Sequence, residues 1–171
     1  MTLYEQTLPV YRQCLQTLSG MLTKAEAHEK GESLLAATLA DDMHPLATQI
    51  RFVGNLPGEA LERLTDRTFT SRDENDTSFA AARDALAEMD EYLAGIEAGE
   101  LMDAEATMVL DIPNGMEFTL AVEQYVRDWS LPNFYFHLTT AYAILRKEGV
   151  DLGKADFMPH MFKYATKMPN S

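Results

Sequence analysis

"PNFYFHLTTAYAILR", residues 132–146, is a strongly apolar stretch in which Asn133 and His137 stand one helical turn apart. Positions i and i+4 lie on the same helix face, so the amide and the imidazole share one side. Burying either group without a partner is costly. The stretch therefore reads as a core helix of an all-α protein, and its neighbours must satisfy those two groups or use them. Phe134, Tyr135 and Phe136 are consecutive and point in different directions on a helix. At least one of them must leave the core, which predicts a second buried surface such as a dimer interface.

The segments upstream supply the neighbours. Tyr4, Leu8, Tyr11, Leu15, Leu18, Leu22 and Ala25 recur at steps of four and three, the period of an amphipathic helix. Thr2 is placed to cap it and Gly31 to end it, while Pro9 predicts a kink or restart near Thr7. A second helix is expected from Asp41 or Asp42 as N-cap, with Pro45 in its first turn and Met43, Leu46, Ile50 and Val53 as its stripe. Pro57-Gly58 should bend it before Leu61 and Leu64 resume the pattern. Residues 65–78, "TDRTFTSRDENDTS", are polar and aperiodic and read as a long loop. Phe79, Ala82, Leu86, Met89, Leu93 and Ile96 then mark a third helix, with Gly99 as its stop. Met108, Leu110 and Ile112, then Met116, Phe118 and Leu120, alternate at period two around Asn114-Gly115, a hairpin signal. The fourth helix runs from about Ala121 to Lys147, with an interruption near Leu131-Pro132. The sum is an antiparallel four-helix bundle with a short β-hairpin between helices three and four. Leu15, Ile50, Leu86 and Leu138 are expected to share its core.

A chain of 171 residues with 46% hydrophobic residues is expected to form one domain with a sizeable core. That domain is read as residues 1–171, with its core at about 3–157 and a C-terminal tail at 158–171. The net charge of −13 disfavours phosphate backbones and anionic lipid, so neither nucleic acid nor a membrane is an expected partner. Cys14 is the only cysteine, which fits a reducing compartment. The start has no basic region followed by an apolar core, so it does not read as a signal peptide, and a cytoplasmic location is expected.

Three stretches carry a resemblance: "LPNFYFHLTTAYAILRKEGVDLGKADF", "LADDMHPLATQI" and "LYEQTLPVY". Together they resemble an uncharacterised family of the DinB/YfiT-like superfamily, from about Leu3 to Phe157. The resemblance implies a four-helix bundle with a hairpin before the last helix. Members of that superfamily include metal-dependent proteins and thiol-dependent transferases, with three histidines around one divalent ion. The register set by Leu145-Arg146 and Gly149 puts His137 on the second histidine of their HxxxH pair and Asn133 on the first. His44 falls where the third ligand is expected. Two of three ligands are present and the other is an amide, a weaker ligand than imidazole for zinc or nickel. Asp41, on the face of His44, or water could complete the set, and Thr140 could line the same cavity.

Each of these residues also has a structural reading. His137 could be a bonded core histidine, His44 a solvent-facing residue and Asn133 the cap of a restarted helix. Thr140 could bond back to the carbonyl of Phe136. His28 and His160 lie outside the pattern, and Lys154 and Asp156 read as a salt-bridged turn. The chain is thus expected to be a DinB-like protein of unknown activity with a partly degenerate metal site. It is expected to be non-catalytic, a homodimer, and structural or a binder of a small molecule. Its cofactor is expected to be none, or a weakly held Zn or Ni. The alternative is a divalent-metal-dependent DinB-like enzyme of the thiol-dependent transferase type.

Overall fold

The computed structural model describes residues 1–112 and 114–167. Its main helices are α1 (Leu3–Glu26), α2 (Leu46–Leu64), α3 (Phe79–Ala94) and α4 (Leu131–Lys147). α1 packs mainly on α3, and α2 mainly on α4. The apolar stripes predicted from spacing meet inside: Leu15, Ile50, Leu86 and Leu138 belong to one buried cluster.

Helix ends follow local chemistry, and here the sequence expectations need correction. Thr2 opens α1 as predicted, and it does so in a capping box with Glu5. Pro9 causes no restart; it and Glu5, the residue whose carbonyl it leaves unbonded, are both exposed to solvent. α1 stops at Glu26, once its apolar stripe ends at Ala25, and Gly31 instead starts a short 3₁₀ turn at φ +49°. Asp41 and Asp42 do not cap α2. They lie exposed on the turn before it, because Pro45 keeps His44 out of the helical region and the helix starts only at Leu46. α3 is capped by Ser78, whose hydroxyl accepts from Ala81 N–H at 3.1 Å, and it closes at Gly95, not Gly99.

β1 (Thr107–Asp111) and β2 (Glu117–Ala121) pair antiparallel, with Met108 opposite Leu120 and Leu110 opposite Phe118. The link between them is longer than a two-residue Asn-Gly turn, because Ile112 N–H bonds the Met116 carbonyl at 3.0 Å. Gly115 takes φ +85° within it, which a glycine tolerates. Met108 and Leu110 are buried and seat the hairpin on the bundle.

The chain re-enters helix at Val122, and Tyr125–Ser130 wind as a π-helical turn directly before α4. Pro132 explains the widening: it has no N–H for the Asp128 carbonyl, and in a regular α-helix its ring would crowd that carbonyl. Leu131 N–H reaches back to Val126 O. The Tyr11 and Ser130 hydroxyls share a 2.6 Å hydrogen bond that ties this turn to α1. Beyond α4, Asp156 pairs with Lys24 of α1 at 2.8 Å and accepts from Gly153 N–H. Lys24, not Lys154, is therefore the partner in that turn. The tail to residue 167 is mostly exposed; residues 168–171 lie outside the described region. Among the described residues, no helix is long and apolar enough to cross a membrane.

Candidate functional site

His137 faces α2, as its place in the apolar stretch requires. Its Nδ1 lies 2.8 Å from Gln49 Oε1, and Gln49 Nε2 donates to the His44 carbonyl at 3.2 Å. Because the Gln49 amide is oriented by that second bond, its oxygen faces the imidazole, and His137 Nδ1–H is the donor. Burial lowers the His137 pKa to about 4, with electrostatic repulsion from the neighbouring His44 adding to the effect, so the His137 ring is neutral at pH 7. Phe52 packs against both imidazoles, with ring centroids 5.5 Å from His44 and 4.7 Å from His137. The structure thus brings His44 and His137 to one locality, with a phenyl ring that supplies no ligand packed on each. His44 itself is exposed. Asn133 does not cap α4: it lies inside the first turn and has no side-chain cap bond. It lines a separate space with Leu56 and Glu59. Asp41 is exposed on its turn, and Thr140 Oγ1 donates to the Phe136 carbonyl at 2.7 Å, the local bond foreseen for it. Among the described residues, no three His, Cys, Asp or Glu side chains are grouped to hold a metal ion.

The space beside Asn133 is a cavity of about 580 Å³ where α2, the hairpin and the π-helical turn meet. Leu56, Leu110, Ile112 and Trp129 give it apolar walls. Glu59, Glu62, Arg63, Asp111 and Tyr125 add polar groups. Trp129 is 36% exposed and sits by Phe118, with centroids 6.4 Å apart, which makes an aromatic rim. Tyr125 is only 3% exposed and lines the same space. Burial raises its pKa, opposed by its hydrogen bond with Ser130, the residue that also bonds Tyr11. Asn133, half-buried, adds its amide to the lining. A concave, largely apolar site with a few converging polar groups is the usual form of a small-molecule pocket.

Two functional features were not read from the sequence. Gln49 is a buried polar residue beside Ile50 on the inner face of α2, and its presence there was the available signal. The stretch 65–78 is a strap pinned along α2, not a free loop. Asn55 holds it by both amide atoms, accepting from Arg72 N–H and donating to Arg72 O, while Glu59 accepts from Ser71 and Glu62 from Phe69 N–H.

A family model described as a domain of unknown function, DUF1993, matches residues 3–158. The chain is also similar to a crystal structure of a DinB family member protein from Shewanella denitrificans. The two are 29% identical with a TM-score of 0.79, over 99% of this chain and 94% of that one. No curated protein matches it.

Proposed function

The chain belongs to the DUF1993 family and has a DinB-like helical bundle, and from the cavity beside Tyr125 we propose that it is a non-catalytic protein that binds a small molecule there as a homodimer. The observation that carries this reading is the cavity of about 580 Å³ itself, with apolar walls and the polar groups of Tyr125 and Asn133 in its lining. A π-helical turn at the cavity edge fits it, since such turns cluster at functional sites. Glu59 and Glu62 spend hydrogen-bonding capacity on the strap, which suits carboxylates that hold structure rather than transfer protons.

Trp129 is the only tryptophan and stands at the cavity rim, so its fluorescence reports occupancy directly. A fragment library should contain molecules that change this emission saturably. Leu56→Phe, which narrows the cavity, should abolish the response while circular dichroism shows an intact fold. No saturable response from any fragment would refute the proposal.

A second reading, the divalent-metal enzyme, is favoured by one observation. With Nδ1–H held by Gln49, His137 keeps a free lone pair on Nε2, as metal-ligating histidines do. The donors do not fit an ion well: Phe52 packs on both imidazoles and Asn133 lines the neighbouring cavity. Calorimetric titration with zinc or nickel separates the readings. Weak or absent binding is expected for the unaltered protein. Tight binding that is lost in His137→Ala and strengthened in Asn133→His would favour the enzyme.

A further inference from the structure

We infer that the cavity between α2, the hairpin and the π-helical turn takes an organic cation, a protonated amine on an aromatic or aliphatic body. This rests on the ligand-binding reading above and names the chemistry of its occupant.

The charge of the lining is the first argument. Three carboxylates, Glu59, Glu62 and Asp111, face the space against one guanidinium, Arg63. Arg63 makes no ion pair with any of them among the described residues, so the carboxylates are not neutralised in place. An anion drawn to Arg63 would meet Glu59 and Glu62 within one turn of it, on a chain whose net charge is −13. A cation gains from both the local and the overall field.

The second argument is independent of charge. The Tyr125 oxygen and the Asn133 side-chain oxygen both belong to the lining, and both can accept hydrogen bonds. An ammonium has only donors to offer, so it matches such acceptors. The third argument is the rim. Trp129, with Phe118 beside it, presents an aromatic surface to the same space, and a cation over an indole face is attracted by the ring quadrupole. Leu56, Leu110 and Ile112 cover the apolar body.

Three probes with one ring and different head groups test the inference: phenethylamine, phenylalanine and 3-phenylpropanoate. Each is titrated into the full-length protein, with Trp129 emission as readout and calorimetry as a check. Phenethylamine should bind tightest, and its affinity should fall as sodium chloride is raised. The double variant Glu62→Gln with Asp111→Asn should bind it on the order of tenfold more weakly, since two partly exposed charge interactions are lost. Both positions are exposed, and the amide oxygen introduced by Glu62→Gln can still accept from Phe69 N–H, so the fold should survive. Binding of phenylalanine or 3-phenylpropanoate as tightly as the amine would overturn the cation while leaving the cavity reading intact. An unchanged affinity in the double variant would do the same. If no probe binds, the cation assignment falls, and the fragment screen alone decides whether the cavity binds anything.

Discussion

Gln49 Nε2 donates to the His44 carbonyl while its Oε1 accepts from His137 Nδ1–H, so one buried amide fixes both the orientation and the tautomer of the histidine. The ring is then a satisfied polar group in an apolar setting, which answers the cost of placing a histidine in this helix. The consequence for stability has a definite sign. In the unfolded chain His137 takes a proton near its ordinary pKa of 6.5, whereas in the fold it resists protonation down to about 4. Its contribution is complete above 6.5 and is lost as pH falls from there through about 4. The nearby groups are Gln49, which does not titrate, and His44, whose electrostatic effect on His137 acts in the same direction as burial. Denaturant midpoints of the protein and of His137→Gln should therefore converge as pH drops from 7 towards 4. A stability difference that stays constant across that window would show that His137 does not carry this pH dependence.

The helices were legible at the level of elements because each repeats apolar residues at steps of three and four over many turns, and one bundle core rewards that pattern. Their ends were less so: Asp41 and Asp42 have good capping chemistry, but the restriction Pro45 places on His44 outweighs it. The π-helical turn was visible only as an interruption, since its width depends on how Pro132 is accommodated against Tyr11 and Ser130. The cavity was not legible, because it is made by α2, the hairpin and that turn, which are far apart in the sequence; Asn133 was singled out, but for a different role. The strap was hidden by polarity, with Phe69 and Gly58 as its two overlooked markers. A Cβ at Gly58 would stand 2.5 Å from the Phe69 ring, too close for any packing. Gly58→Ala in a helix interior would ordinarily stabilise. Here it should cost about 1–3 kcal/mol from overpacking, read by urea denaturation. A neutral or stabilising effect would mean that Phe69 does not seat on α2.

At the scale of the whole molecule, part of the outer face of α4 is left exposed among the described residues. Phe134 is buried, whereas Tyr135 and Phe136 are 38% and 56% exposed, so two of the three consecutive aromatics leave the core. Together with Leu39, Thr139 and Ala143 they line a shallow groove that contains no charged residue. On a chain of net charge −13, two copies repel each other over most of their surfaces. An uncharged apolar face is where that repulsion is least and the gain from burial greatest. A twofold pair sets one patch against its own copy, so a single self-complementary face is sufficient. The expected assembly is a homodimer through α4. Light scattering at micromolar concentration should give the mass of two 19.2 kDa chains. Phe136→Glu would place like charges opposite one another at the interface and should yield a folded monomer with unchanged far-ultraviolet circular dichroism. The mass of one chain for the unaltered protein would sink the dimer, and a dimer that persists in Phe136→Glu would move the interface away from this face.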